Sequence, residues 1–154
     1  MLRRLATLLL ALPLAMTAAP PAHAAFVYQC SLYAQVNNPV GSGIVYFNGH
    51  SRCDSAMSYT YVTATIYYCR TVDDCNTNGS SIGYGAYDTA SVDTPTRSIT
   101  NANGIYEIVT RADFTGYLPT DVVVGTPGTY TNCTAYPGTP GKYHCWTATY
   151  ILAS

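Results

Sequence analysis

Six cysteines are spread along the chain, and how they are used restricts the folds it can adopt. They are Cys30, Cys53, Cys69, Cys75, Cys133 and Cys145. No two of them form a Cys-x-x-Cys pair, the close spacing that zinc sites favour. An even number of cysteines in an exported chain indicates disulfides, here three. The use of the cysteines therefore depends on whether the chain is exported.

The N-terminal residues have the three parts of a secretory signal peptide. Arg3 and Arg4 give a positive start, an apolar run follows, and the small-x-small sequence AHA precedes Ala25. The apolar run is too short to span a bilayer as a helix. We therefore predict a signal peptide over residues 1–24 and a single secreted, extracellular domain over residues 25–154, with no membrane insertion after cleavage.

The charge of the mature chain argues against two classes of partner. Two of the seven Lys and Arg residues lie in the leader, whereas all eight Asp and Glu residues follow it, so the mature net charge is −3. Nucleic acids and anionic membranes attract clustered positive charge, and the chain has no basic cluster. We expect no nucleic-acid partner, and we predict no cofactor.

Spacing alone does not determine which cysteines are bonded to each other. Cys69 and Cys75 form the most local pair, and we predict that bond. The remaining cysteines can pair along the chain or across the fold: Cys30–Cys53 with Cys133–Cys145, or Cys53–Cys133.

Strand-forming residues alternate along much of the mature chain, most clearly from Ser58 to Arg70. One alternate set is Tyr59, Tyr61, Thr63, Thr65, Tyr67 and Cys69, and the other is Thr60, Val62, Ala64, Ile66 and Tyr68. Aromatic and β-branched residues at period two suit a half-buried pleated surface. We predict that the more apolar set faces the core: Val62, Ala64, Ile66 and Tyr68.

Other segments repeat this pattern between turn residues such as Asn48-Gly49 and Asn78-Gly79. Predicted strands include Phe26–Leu32, Gly43–Phe47, Ile82–Val92, Ile105–Arg111, Asp121–Val124, Thr129–Tyr136 and Lys142–Ala153. In the last of these, alternation places Trp146, Ala148, Tyr150 and Leu152 on one side. The sequence predicts an all-β fold, an antiparallel β-sandwich of about seven to nine short strands stapled by disulfides.

The segment Asp73–Gly79, DDCNTNG, has two alternative interpretations. Asp74, Asn76 and Asn78 match the opening of a calcium loop, with oxygen ligands at alternate positions before a glycine. The position that should supply a bidentate glutamate is Gly85, so these residues remain weak calcium candidates and we predict no metal. We interpret the segment as a strand-to-strand turn, because Asn78 and Gly79 both tolerate the positive φ of a tight reversal.

No local motif indicates catalysis. Adjacent carboxylates such as Asp73 and Asp74 point to opposite sides of an extended chain. The mature chain has two histidines, His50 and His144, without a GxSxG or HExxH pattern around them. A hydrolase assembled from dispersed residues remains an alternative, since catalytic triads follow geometry and not sequence order.

Tyrosine is unusually frequent, with 15 residues. Our candidate ligand-binding residues are those that share one face of the strand with the clearest alternation: Tyr59, Tyr61, Thr63, Thr65 and Tyr67. Tyrosine gives a large amphipathic contact area at low entropic cost. A solvent-facing Tyr/Thr ladder also stabilises a sheet through cross-strand pairs, which is the alternative explanation.

Two stretches of the sequence resemble a broad group of small secreted proteins from Gram-positive bacteria. They are SRCDSAMSYTYVTATIYYC and NCTAYPGTPGKYHCWTATYILA. The resemblance implies a compact disulfide-containing β-sandwich and a bridge between Cys53 and Cys133. Members of this group mostly have no assigned activity, so no catalytic residue is implied. Cys69 and Cys75 depart from the plainer pattern of the group.

The resulting hypothesis is a secreted, non-enzymatic module that binds a polysaccharide, a cell surface or a secreted protein. The alternative is an inhibitor of secreted hydrolases acting through a disulfide-braced loop, with Arg70 near Cys75 or Lys142 near Cys145 offered to a trypsin-like pocket.

Overall fold

The computed structural model describes residues 24–100 and 102–153. The predicted signal peptide lies outside these residues apart from Ala24. Within the described residues every regular element is a β-strand, which confirms the all-β prediction. The strands are β1 (Val27–Asn37), β2 (Ile44–Thr71), β3 (Asp74–Cys75), β4 (Ser80–Asp93), β5 (Arg97–Thr100), β6 (Gly104–Thr115), β7 (Val122–Gly125), β8 (Asn132–Ala135) and β9 (Lys142–Ala153).

These nine strands belong to one sheet. Its main path runs β7-β1-β2-β6-β9-β8, and β3, β4 and β5 pair with β2. β1 and β7 are parallel, whereas the other pairs are antiparallel. The sheet is therefore mixed, which corrects the fully antiparallel prediction. A sandwich of two stacked sheets is not confirmed.

The long strand β2 organises the sheet. The strands predicted near Gly43–Phe47 and Ser58–Arg70 are its two ends, so the turn predicted at Asn48-Gly49 is wrong. Gly49 is buried inside the strand, where an added Cβ would lie 3.0 Å from Thr110 Cγ2. The glycine is needed here because another strand packs closely against it, and not because the chain reverses.

The two ends of the sheet approach each other through the segment between β7 and β8. The backbone N–H of Leu32 in β1 donates to Thr131 Oγ1 at 2.8 Å, and the N–H of Thr126 donates to the carbonyl of Cys30 at 2.9 Å. The sheet thus curls nearly into a barrel. We call the contact of residues 126–131 with β1 the seam.

The inward-facing side chains form two core clusters. One contains Tyr28, Cys30, Leu32, Met57, Val62, Val92, Ala112, Phe114, Val123 and Cys145. The other contains Val45, Phe47, Ala64, Ile66, Ala102, Tyr106, Ile108 and Ala153. Val62, Ala64 and Ile66 are buried as predicted, whereas Tyr68 is 43% exposed. Tyr68 lies near the end of β2 and packs edge-on against Tyr106, with 5.6 Å between ring centroids.

Each of the three disulfides joins residues that face each other on neighbouring antiparallel strands. They are Cys30–Cys53 between β1 and β2, Cys69–Cys75 between β2 and β3, and Cys133–Cys145 between β8 and β9. The predicted Cys69–Cys75 bond is confirmed. The Cys53–Cys133 bond implied by the resemblance is wrong, because each of these residues lies opposite another cysteine.

Candidate functional site

The outer face of the sheet carries the candidate site. Because Thr60, Val62 and Ala64 point into the core, their neighbours on β2 point outward. Ladder register aligns these with outward side chains of β6 and β9. Three successive rows, each in the order β2, β6, β9, are Thr63, Arg111 and Trp146; Thr65, Val109 and Ala148; and Tyr67, Glu107 and Tyr150.

The sizes of these side chains create a groove. The middle row has small residues in Val109 and Ala148, whereas the flanking rows carry larger residues, among them Trp146 and Tyr67. The resulting groove has a volume of about 650 Å³, within the range of small-ligand sites. Trp146 is 43% exposed, so its ring is available to a ligand.

One rim of the groove is built by the segment that follows the Cys69–Cys75 disulfide. Asn76 and Thr77 line the groove beside Tyr67. The N–H of Asn76 donates to the carbonyl of Tyr68 at 2.8 Å, which fixes the rim to β2. The disulfide ends immediately before this segment and fixes its preceding residue, Cys75, to β2 as well.

Two charged residues of β6 stand in the outer rows of the groove, Arg111 in the row that we call the cationic end and Glu107 in the row that we call the anionic end. Arg111 Nη1 donates to Tyr67 Oη at 3.3 Å. Glu107 Oε1 accepts a hydrogen bond from Tyr150 Oη at 2.9 Å, and this bond raises the pKa of the Tyr150 hydroxyl. The groove therefore combines aromatic surface with a cationic end and an anionic end.

His144 lies beside the cationic end and is paired with a carboxylate. Its Nδ1 is 2.7 Å from Asp113 Oδ1, which also accepts from Tyr136 Oη at 2.7 Å. The hydrogen bond to Asp113 raises the pKa of Tyr136. This pairing fixes the orientation of the imidazole ring at the edge of the groove.

Of the residues predicted from the sequence, Tyr67 lines this groove and Tyr59 lines a separate depression of about 290 Å³. Thr63 is half-buried. Thr65 is buried and shares a 2.8 Å hydrogen bond with Ser81, which corrects its expected exposure.

Tyr59 and Tyr61 cover glycines of the neighbouring strand β4. A Cβ added at Gly85 would lie 2.5 Å from Tyr59 Oη, and one added at Gly83 would lie 2.5 Å from Tyr61 Oη. The rings thus occupy the space that side chains of β4 would fill. Their contacts are those of aromatic side chains that protect strand glycines.

The other histidine, His50, lies in a separate polar cluster. It is 7% exposed, its Nδ1 is 2.8 Å from Asp93 Oδ1 and its Nε2 is 3.2 Å from Gln35 Oε1. Tyr33 stacks on the ring with 4.6 Å between centroids. Because both ring nitrogens are already hydrogen-bonded, this histidine holds β1, β2 and β4 together.

The segment Asp73–Gly79 forms a hairpin and a connection. The chain reverses at Val72 and Asp73, before β3, so the reversal predicted at Asn78-Gly79 is wrong. The calcium candidates Asp74, Asn76 and Asn78 are exposed. Over residues 24–100 and 102–153, no group of three or more His, Cys, Asp and Glu side chains is arranged to hold a metal ion.

Sequence reasoning missed most of the residues that line the groove, including Glu107, Val109, Arg111 and Trp146. Alternation had placed Trp146 and Ala148 on one side of a strand. It contains no information on which strands are neighbours, so the combination of β2, β6 and β9 was not predictable from it.

No protein-family model, curated protein or solved structure matches the chain. The part of the chain that the structure describes contains no helix long and apolar enough to cross a membrane.

Proposed function

We propose that the protein is a secreted, non-enzymatic module that binds a polysaccharide in the outer-face groove. The observation that carries the proposal is the arrangement of the groove, in which the Trp146 ring and Tyr67 flank a floor of small side chains. A sugar ring has an apolar face of C–H groups and a rim of hydroxyls. The apolar face suits an aromatic ring, and the hydroxyls suit the polar groups of Asn76, Glu107 and Arg111.

Export is supported by two independent features. The N-terminal sequence has the composition of a signal peptide. Three disulfides also fit an oxidising compartment, where such bonds persist.

The spacing of the titratable groups favours binding over catalysis. His144 lies opposite Asp113, whereas Glu107 lies six residues before Asp113 on β6, a backbone spacing of about 20 Å. An acid and a base this far apart do not act on one bond. All six cysteine sulfurs are bridged, so none is a thiol nucleophile.

Affinity electrophoresis against a panel of soluble polysaccharides tests the proposal. Trp146→Ala should weaken retention about tenfold or more, because the variant loses an aromatic wall of the groove. Tyr130→Ala is the matched control, since Tyr130 is 89% exposed and lies outside the groove. Equal retention of the wild type and both variants would contradict the proposal. It would also be contradicted if no polysaccharide retained the wild type and the protein instead captured a specific protein partner.

The hairpin tip supports inhibition of secreted hydrolases as a second candidate function. Residues 70–74 are all exposed, and the Cys69–Cys75 bond closes them into a short loop that contains Arg70. Lys142 is also exposed, but it is the first residue of strand β9 and lies three residues before Cys145 of the Cys133–Cys145 disulfide. Inhibition of a trypsin-like protease that disappears in Arg70→Ala would favour this candidate, and no inhibition by the oxidised protein at micromolar concentration would dismiss it.

A further inference from the structure

Arg111 is the best-placed group in the groove to select a ligand by charge. It lies on β6 in the centre of the sheet, directly between Thr63 and Trp146 in the ladder. Neither of these neighbours is charged. Its one described side-chain hydrogen bond, to Tyr67 Oη, uses a single N–H of the five that a guanidinium carries.

The carboxylates nearest to Arg111 along β6 are already hydrogen-bonded to other groups. Asp113 Oδ1 accepts from Tyr136 and faces the imidazole of His144. Asp113 stands two residues from Arg111, about 7 Å along the strand, and Glu107, which accepts from Tyr150, stands four residues away, about 13 Å along the strand. Among the described residues, Arg111 has no carboxylate within 4.0 Å. Arg111 thus forms no ion pair with either carboxylate, and its remaining N–H groups can donate to solvent or to a ligand.

We propose that the groove recognises an acidic polysaccharide, with the carboxylate of a uronic acid unit bound by Arg111. This inference rests on the proposed function and specifies its ligand class. The planar guanidinium fork matches a carboxylate and binds it through two parallel hydrogen bonds. The Trp146 ring, opposite Arg111 in the ladder, contacts the face of the same sugar unit.

The anionic end of the groove restricts where the ligand carries charge. A second carboxylate placed over the row of Tyr67 and Tyr150 would approach Glu107, which lies between them in the ladder and repels it. The preferred ligand therefore alternates a uronic acid with an uncharged sugar. A chain made only of uronic acids binds more weakly than this alternating ligand, because one of its carboxylates meets Glu107. An uncharged chain also binds more weakly, because it lacks the carboxylate that Arg111 recognises.

Trp146 provides a direct measurement, because it is the only tryptophan of the protein and lies in the groove. Its fluorescence can be followed while three tetrasaccharides are titrated into the full-length mature protein. The probes are a hyaluronan tetrasaccharide, which alternates uronic acid with an uncharged amino sugar; chitotetraose, which is uncharged; and tetragalacturonate, which is charged at every unit.

The hyaluronan tetrasaccharide should bind about tenfold or more tightly than chitotetraose, the difference expected for a charged hydrogen-bonded pair. Arg111→Gln should remove this preference, so that the hyaluronan tetrasaccharide and chitotetraose bind with similar affinity. Glu107→Gln should raise the affinity for tetragalacturonate. Arg70→Gln removes an equivalent charge outside the groove and serves as the control.

The outcomes separate this inference from the function on which it rests. Equal affinity for the hyaluronan tetrasaccharide and chitotetraose, or unchanged discrimination in Arg111→Gln, would overturn the role of Arg111 while leaving polysaccharide binding intact. An absence of binding to all three probes and to the polysaccharide panel would overturn both. If Arg111→Gln does not fold, loss of the wild-type preference at high salt still supports the charge pairing, and a preference insensitive to salt contradicts it.

Discussion

Asp93 accepts hydrogen bonds from two basic side chains, and its ionisation therefore affects stability. Arg52 Nη1 lies 2.5 Å from Asp93 Oδ1, and His50 Nδ1 lies 2.8 Å from the same oxygen. These bonds, the one from Arg52 above all, lower the pKa of Asp93. A carboxylate whose pKa is lower in the folded state stabilises the fold above its unfolded pKa.

Asp93→Asn should reduce the free energy of unfolding at neutral pH, by about 1 kcal/mol or less because the Asp93 side chain is 48% exposed. The difference in the free energy of unfolding between variant and wild type should have its full size above about pH 4. It should shrink as the pH falls through the lowered pKa of Asp93. Urea unfolding at neutral and acidic pH measures this difference. Asp54→Asn, at an exposed carboxylate, is the control, and a deficit that stays constant with pH would contradict the assignment.

Tyr59 and Tyr61 illustrate how a residue selected for binding can have a structural role. Replacing both with serine should destabilise the protein by about 1–2 kcal/mol, because Gly83 and Gly85 lose the rings that cover them. The folded variant should retain its affinity for the groove ligand. Urea unfolding and the fluorescence titration measure the two effects, with Tyr130→Ser as the control. If the double variant kept its stability but lost ligand binding, Tyr59 and Tyr61 would be ligand contacts and not structural residues.

At the level of the strands, the hairpin of β2 and β3 connects a disulfide to the candidate site. Removing the Cys69–Cys75 bond with alanines should cost about 2 kcal/mol, since it closes a loop of only six residues. Ligand affinity should fall as well, because Asn76 and Thr77 lose one of their two anchors. The double variant can be compared with wild type by thermal unfolding and by titration of the groove.

The Cys30–Cys53 bond provides the matched comparison. It spans 23 residues, so its removal should cost more stability, about 3 kcal/mol, and it lies outside the groove. Affinity in this variant should be unchanged while the protein is folded. Equal losses of affinity in the two variants would mean that the rim is not specifically held by Cys69–Cys75.

Alternation along the sequence predicted which segments are strands, and it predicted inward positions such as Val62 and Ile66. The turn predicted from the residue types Asn48 and Gly49 was wrong. Gly49 lies inside β2 because Thr110 packs closely against it. β2 is a single long strand because of tertiary contacts, and these cannot be inferred from the local strand propensity of its residues.

The site was less predictable than the strands. Tyr67 was identified because it belongs to the clearest alternating segment. Arg111 and Trp146 are separated by 35 positions in the sequence and meet only through the register of β6 with β9. Register between strands distant in sequence is set by the complete sheet.

At the scale of the whole molecule, the seam is closed without a covalent bond. Thr131→Val should leave the buried N–H of Leu32 without its acceptor and destabilise the protein by about 1–3 kcal/mol. Hydrogen exchange should accelerate in β7 and β8 and change little in β2 and β6, which are paired on both edges. Thr149→Val, at an exposed position of β9 outside the seam, is the control. Uniform acceleration through all strands would show that the seam does not open independently.

The position of the disulfides within the ladder has a consequence for the oxidation of the cysteines during folding. Because bonded cysteines face each other, a slip of one residue between two strands would turn one thiol to the opposite side of the sheet and keep the sulfurs apart. Oxidation can then seal only those strand pairs that are already aligned. We therefore expect each bridge to form after its two strands have reached their native register, so that oxidation fixes a register that strand pairing has already selected.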